Sequence, residues 1–316
     1  MLEICKIPVV TPYLVGPVNC YLVKNEPFTL FDPGPNTNTA RNALAAGLLK
    51  IGVELSDIKR VVITHSHLDH SGLAPWVRSV SGAKIYLHPL EVRKLGQEFD
   101  FYLERLRFMQ EAGLPSVMLN DILGDFDPVG KPEPLGSEVV LLQGGEILDF
   151  DGGALAVLHF PGHSDGHVCF YDAEGGGFIA GDFILKEITP NPNMEPDVAD
   201  YSRRLPTLNQ YLEGLDQLEK LNPQLILPGH GENITDSIAA VNIARGHHDT
   251  RLAIVCETLK NNSLSVYQLM RVFYPDIKGF EIYLGISEVF AHVDFLVSEG
   301  KVTKQDAGVF SLYRAE

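Results

Sequence analysis

An apolar run, Val61-Val62-Ile63-Thr64, leads directly into His65-Ser66-His67-Leu68-Asp69-His70. The run has the β-branched character of a buried strand. Side chains two apart on an extended backbone point the same way. His65 and His67 therefore form a pair able to grip one cation. Asp69 and His70, beyond a turn, address a second position close by. No single cation takes all four groups from one short loop, whereas two cations sharing the loop do. The alternative is an exposed turn rich in histidine, which requires four ligand-type side chains to coincide at this spacing.

The chain has 316 residues, enough for one large and one small domain. Hydrophobic residues make up 45% and charged residues 21%, the balance of a soluble globular protein with a sizeable core. No apolar run reaches the ~20 residues of a membrane span. Met1-Leu2-Glu3-Ile4 lacks the basic and then apolar pattern of a signal peptide, so a cytoplasmic location is expected. Cys5, Cys20, Cys169 and Cys256 form no CxxC pair, and Cys20 and Cys169 sit in strand-like stretches, as buried free thiols would. The formal net charge of −16 argues against non-specific binding to nucleic acid or anionic membranes. A local basic pocket for a small anion remains compatible with it.

Strand signals occupy Val18 to Val23 and Phe28 to Phe31, the latter stopped by Asp32-Pro33-Gly34-Pro35. Helices are expected over Thr39 to Ile51 and Gly72 to Ser81, with a strand at Lys84 to Leu87. Between about 90 and 134, Leu95, Phe99, Leu103, Leu106, Met109 and Ala112 fall at mostly helical spacing, ahead of a Gly/Pro/Asp-rich stretch. This reads as a helical insertion, either a hairpin packed on the body or a lid or dimer arm. Strands resume at Val139 to Leu142, Glu146 to Leu148, Ala154 to Phe160, Val168 to Tyr171 and Gly177 to Ala180. A helix from Leu205 to Leu221 precedes the strand Leu225 to Leu227. Two groups of strands, each flanked by helices, predict an α/β (α+β) architecture: two sheets face to face in an αββα sandwich over residues 1–244.

Residues 245–316 read as a separate winged-helix-like unit. Helices are expected at Arg251 to Leu259, Ser265 to Phe273 and Gly285 to Ser298, then a hairpin from Gly300-Lys301-Val302 to Val309 through Tyr313. Acidic residues outnumber basic ones from Asp249 onward, a poor match for a phosphate-tracking surface. Packing or homodimerisation is the role expected of it.

Two cations need more ligands, and other strand ends offer them. Phe160-Pro161-Gly162-His163-Ser164-Asp165-Gly166-His167 supplies His163 as a ligand, with His167 behind it as a supporting residue. Gly181-Asp182 and Pro228-Gly229-His230-Gly231 close two further strands. The pooled donors are five histidines and two aspartates without a thiolate, a set that suits Zn(II), with Fe or Mn as alternatives.

These motifs, His-x-His-x-Asp-His, Pro-Gly-His-Ser, Gly-Asp and Pro-Gly-His-Gly, resemble those of the metallo-β-lactamase-fold hydrolases across residues 1–240. The resemblance implies that His65, His67 and His163 hold one metal and that Asp69, His70 and His230 hold the second, with Asp182 bridging. Asp32, in its Phe-Asp-Pro-Gly turn, would support the site; with Asp69 and His167 it completes the catalytic candidates. Aspartate at the bridging position separates the chain from the best-known true β-lactamases, which carry cysteine there. The chain looks most like the glyoxalase-II-like group, and specifically β-lactamase-like-2-type proteins with a C-terminal winged-helix domain. Gly246-His247-His248-Asp249-Thr250-Arg251 and the final hairpin carry that closer match.

The implied chemistry is attack on a carbonyl or phosphoryl centre by a hydroxide bridging two divalent cations. A thioester or ester of the hydroxyacylglutathione or acyl-CoA kind is the leading substrate. A phosphodiesterase or endoribonuclease and a non-hydrolytic iron dioxygenase or binding protein are the alternatives. Lys186 and Arg203-Arg204 are the cations that would meet an anionic small-molecule substrate.

Overall fold

The N-terminal residues Ile4–Val9 (β1) pair antiparallel with Val18–Val23 (β2), which pairs antiparallel with Thr29–Phe31 (β3). Arg60–Val62 (β4), Lys84–Leu87 (β5) and Val139–Leu141 (β6) then add in parallel, giving one sheet in sequential order. The computed structural model describes residues 1–124, 132–136 and 138–316. A second sheet contains Ile147–Phe150 (β7), Gly153–His159 (β8), Val168–Tyr171 (β9) and Gly177–Gly181 (β10). Pro196–Asp197 (β11) and Asp200–Arg204 (β12) form a separate exposed hairpin, and Leu225–Pro228 (β13) joins the second sheet beside β10, in the order β13-β10-β9-β8-β7.

Why the sheets face each other follows from which side chains they bury. Every residue of β2 is buried, because it has apolar partners on both faces. Tyr21, Val23, Phe31 and Val62 of the first sheet meet Leu155, Val157, Val168, Phe170 and Ile179 of the second. Phe31 and Phe170 sit edge to face with centroids 4.9 Å apart. Outside the first sheet lie Asn38–Lys50 (α1), Leu68–Ser71 (α2) and Ala74–Ser81 (α3). Thr37 caps α1 by accepting from the Ala40 N–H, and Ala40, Leu44 and Leu48 at i, i+4, i+8 form its buried face. Outside the second sheet lies Thr207–Leu221 (α7), which buries Tyr211, Leu215 and Leu218. The four layers are helix, sheet, sheet, helix, the sandwich the sequence pattern indicates.

The insertion holds Pro89–Lys94 (α4), Phe101–Glu111 (α5) and Ser116–Gly124 (α6); the Gly/Pro/Asp-rich stretch at 125–131 lies outside the described residues. The C-terminal part consists of Ser237–Leu259 (α8), Val266–Phe273 (α9), Phe280–Ser298 (α10) and the hairpin Val302–Asp306 (β14) with Ser311–Ala315 (β15). Phe108, Met109, Ala112 and Ile122 of the insertion share one apolar cluster with Val255, Leu259, Met270, Ile286 and Phe290. Neither segment closes that core alone.

Several elements differ from the sequence reading for identifiable reasons. The expected helix at 251–259 is the second half of α8, which runs unbroken through the expected boundary at 244/245. Its first half buries Val241 and Ala244 against the second sheet, and its second half buries Val255 and Leu259 in the C-terminal core. Helix α10 starts at Phe280, ahead of the expected start at Gly285; a Cβ at Gly285 would stand 2.9 Å from Ile277 and 3.0 Å from Met270, so glycine allows α9 and α10 to approach. Strand β1 contains Pro8, tolerable because β1 is an edge strand. Hairpin β11–β12 is polar and mostly exposed and gives no strand signal.

Arg204 ends that hairpin inside the protein rather than at a substrate pocket. Its Nε lies 2.8 Å from Asp294, its Nη1 lies 2.8 Å from Glu111, and its guanidinium stacks 3.8 Å over Phe290. Burial works against the charge of Glu111, but Arg204 and Lys304 outweigh it and hold its carboxyl at about 2. We expect Arg204→Ala to cost about 1–3 kcal/mol, since Asp294 loses its cation while Glu111 keeps Lys304 and the Tyr313 hydroxyl, and Arg203→Ala to stay within about 0.5 kcal/mol, both by urea denaturation. A depressed carboxyl stabilises the fold above its ordinary value of 4.5, and the benefit is lost as pH falls towards about 2. Acid unfolding of the wild type followed by circular dichroism should therefore be steepest in that window, with Glu111→Gln flattening it.

Candidate metal centre

The site is assembled at the ends of β3, β4, β8, β10 and β13. Asp32, immediately after β3, adopts φ 48°, a left-handed conformation that aspartate visits more readily than most residues. That turn points its carboxylate back at the loop after β4. Oδ1 accepts from the Thr64 N–H at 2.8 Å, and Oδ2 accepts from the Thr64 hydroxyl at 2.8 Å and from His70 Nδ1–H at 2.9 Å. The Thr64 oxygen, its proton directed at Asp32, accepts from His65 Nδ1–H at 3.0 Å. One buried carboxylate thus sets the tautomer of two imidazoles.

His163 and His230 are fixed by backbone carbonyls. His163 Nδ1 donates to Asn191 O at 3.0 Å and His230 Nδ1 donates to Pro17 O at 2.9 Å. With Nδ1–H spent, the Nε2 atoms of His65 and His163, kept neutral by burial, carry lone pairs and no proton, and those of His70 and His230 do so in the neutral form that would bind a metal. They nevertheless face one another. His65 Nε2 lies 2.9 Å from His67 Nδ1, which lies 3.2 Å from His163 Nε2. His70 Nε2 lies 3.2 Å from His230 Nε2, which lies 3.3 Å from Asp69 Oδ2. Asp182 Oδ2 faces both groups, 3.3 Å from His70, 3.6 Å from His230 and 3.9 Å from His163. Its other oxygen is buried with no protein partner among the described residues.

Lone pairs at such spacing repel unless a proton or a metal cation stands between them. Four donors at ~2.0–2.1 Å from a tetrahedral centre are ~3.3 Å apart, which is the spacing found. The donor set fits a divalent metal, and three groupings, His65/His67/His163, His65/His70/Asp182 and Asp69/His70/His230, each keep their ligand atoms within 4.8 Å.

The electrostatics divide the site in two. Burial, joined by neighbouring imidazoles, depresses His65, and burial likewise depresses His67 and takes His163 down to about 4. Neutral imidazole is the ligating form. Around His70 burial also disfavours charge, but Asp182, Asp69 and Asp32 outweigh it and raise it well above the ordinary value; Asp182 does the same for His230. Asp182 is held well below the usual carboxylate range by His70 and His230, against its burial. One position is ringed by neutral nitrogens and the other by carboxylates.

All seven candidate ligands are brought together here. Asp32 stands behind them as a tether. His167 is not among the converging atoms: its Nε2 accepts from the Asp182 N–H at 3.2 Å, and its ring stacks on His65 at 5.0 Å. It acts on the backbone of Asp182 and does not face the ligand nitrogens. Lys186 lines a cavity of about 660 Å³ with Asn191, Ile234, His247 and Arg251, whereas Arg204 is internal and Arg203 exposed. Sequence reasoning missed Thr64, Pro17 and Asn191, which hold ligand imidazoles through bonds that no spacing rule encodes.

The family model described as the Metallo-beta-lactamase superfamily matches residues 13–230. The chain is 30% identical to the "Probable metallo-hydrolase YqjP" of Bacillus subtilis over 95% of this chain and 94% of that protein. It is 25% identical to the hydroxyacylglutathione hydrolase GloC of Haemophilus influenzae over 57% of this chain and 71% of that protein. The crystal structure of metallo-beta-lactamase family protein TTHA1429 from Thermus thermophilus superposes with a TM-score of 0.82 and 27% identity, covering 99% and 98% of the two chains.

The tether from Asp32 makes a prediction. Asp32→Ala should weaken metal binding about 10–100-fold while leaving all seven ligands present, measured by competition with a chromophoric chelator on protein of unchanged circular dichroism.

Proposed function

The chain belongs to the metallo-beta-lactamase superfamily, and from that membership we propose that it is a binuclear metal-dependent hydrolase acting on thioesters or related esters. The observation that carries this reading is the single Asp182 oxygen facing both the His65/His67/His163 group and the Asp69/His70/His230 group. His65, His67 and His163 would hold one cation, Asp69, His70 and His230 the other, and Asp182 would be shared. Two bound divalent cations, zinc in preference to iron or manganese for this N/O donor set, supply Lewis-acid polarisation of the scissile carbonyl and acidify water towards neutrality.

The chain's own residues do the rest. Asp32 and the carbonyls of Pro17 and Asn191 keep the imidazoles oriented, so that little reorganisation is needed when charge develops. Asp69, 3.3 Å from His230, would pass a proton at the same centre as a secondary role, since a ligating carboxylate is a weak base. No thiol competes as nucleophile among those nearest the sheets, since burial pushes Cys20 and Cys169 well above the ordinary thiol value. The cavity beside Lys186 would seat the non-reacting, anionic part of the substrate.

Thioester chemistry is favoured by the relative named a hydroxyacylglutathione hydrolase, in keeping with the glyoxalase-II-like motifs. The acidic surface speaks against the phosphodiesterase and RNA-cleaving alternatives. We read residues 245–316 as a winged-helix-like unit of the β-lactamase-like-2 type serving packing or homodimerisation, joined to the catalytic domain by the unbroken helix α8. Free cysteines support a reducing, cytoplasmic setting.

The test is side-by-side turnover of S-lactoylglutathione, an acyl-CoA and bis-p-nitrophenyl phosphate by zinc-reconstituted and EDTA-treated protein. We expect zinc-dependent thioester turnover, reduced roughly 100-fold or more in kcat by Asp182→Asn. Zinc-dependent turnover of the phosphodiester alone would overturn the thioester reading, and identical behaviour with and without zinc would overturn the hydrolase.

A further inference from the structure

Glu91 is a fully buried carboxylate that none of the chemistry above uses. Its position is built locally. Pro89 opens α4 with its fixed φ, and His88 caps the helix by accepting the Leu90 N–H through Nδ1 at 3.2 Å. Glu91 then falls in the first turn, where a helix favours a carboxylate. From there it reaches two loops that are far apart in sequence. Oε2 accepts from the Ser66 N–H at 2.8 Å, and Ser66 is the residue between His65 and His67. Oε1 accepts from the Ser164 hydroxyl at 2.6 Å and from the Gly166 N–H at 2.8 Å, next to His163 on its C-terminal side. Gly166 has to be glycine for this approach, because a Cβ would stand 2.6 Å from His88 Nδ1 and 2.9 Å from Glu91 Oε1.

We propose that Glu91 is a positioning residue for one metal position only: it ties the His65–His67 loop to the His163 loop and so sets the spacing of those three nitrogens. This rests on the two-cation reading above. Among the described residues Glu91 makes no bond to Asp69, His70 or His230 or to their immediate neighbours; those three are held by Asp32, by the start of α2 and by the Pro17 carbonyl. The clamp is itself held. Lys94 Nζ lies 3.4 Å from Glu91, 2.8 Å from Ser164 Oγ, 2.6 Å from Asp165 and 2.8 Å from Glu195. Glu195 in turn pairs with Arg105 of α5, whose Nε donates to the Tyr283 hydroxyl of α10 at 3.0 Å. The insertion therefore serves the metal centre through a buried carboxylate at its first helix.

Glu91→Gln keeps the shape but turns one acceptor oxygen into an N–H donor facing existing donors. The full-length variant would be loaded with ¹¹³Cd, its two equivalents titrated against chelators of graded strength, and its cadmium NMR spectrum recorded. We expect one equivalent to weaken about 10–100-fold, with its resonance displaced or lost, while the other keeps its wild-type shift and affinity. Ser164→Ala, which removes one bond of the clamp and spares the charge, should shift the same resonance by less; it carries the test if Glu91→Gln does not fold. Two wild-type equivalents in a folded Glu91→Gln protein would overturn the proposal, as would equal weakening of both. If the wild type takes up a single equivalent, the two-cation reading falls, and the clamp then stands or falls on whether Glu91→Gln weakens that one.

Discussion

Everything in this molecule is arranged around seven ligand-type side chains whose nitrogen and oxygen atoms are held face to face. A protein interior resolves buried polar atoms by pairing donors with acceptors. Here the donors on His65, His70, His163 and His230 are spent elsewhere, on Thr64, Asp32, Asn191 and Pro17. What remains is a cluster of ligand atoms at about contact distance and an Asp182 oxygen with no protein partner among the described residues. Crowding them is costly, and a metal cation among them would offset that cost, so metal binding and folding would share one free energy.

The sandwich exists in a form that can bear this strain. Ligands leave the sheets where strands end, so backbone polar groups are free to hold them, and the rigid layers behind do not yield. Glycines at two of these exits have a specific reason. Gly181, at φ 49°, would place a Cβ 2.6 Å from Thr64 Oγ1 and 2.8 Å from His167 Nε2. Gly162, at φ 130°, would place one 2.7 Å from Tyr211. A side chain at either would push a ligand-bearing loop away from its partners.

Much of this was legible in the sequence, and the reason is periodicity. Ligands at i and i+2 after a β-branched strand, and Gly-Asp or Pro-Gly-His at strand ends, are local patterns, and the αββα order follows from alternating strand and helix signals. What stayed hidden was non-local. The Glu91–Ser66 and Glu91–Gly166 bonds join segments separated by tens of residues, and in sequence Glu91 and Lys94 look like an ordinary surface pair at i, i+3. Arg204 looked like a free cation because its partners, Glu111 and Asp294, lie in two other segments. Packing on both sides of the expected 244/245 boundary keeps one helix continuous there.

The insertion and the C-terminal helices illustrate how a second core can serve a site it does not line. Each segment is too small to exclude water from its own apolar face, and together they bury Phe108, Met109, Met270 and Phe290 in one cluster. The polar edge of that cluster is the chain Tyr283, Arg105, Glu195, Lys94, which ends on the loop bearing His163. Charges buried this deeply are costly unless every partner is in place. The ion-pair chain is therefore satisfied only when the insertion, the C-terminal helices and the His163 loop are all docked. The chain links completion of the second core to the geometry of the metal ligands, which accounts for why residues with no ligand role are built into the fold beside them.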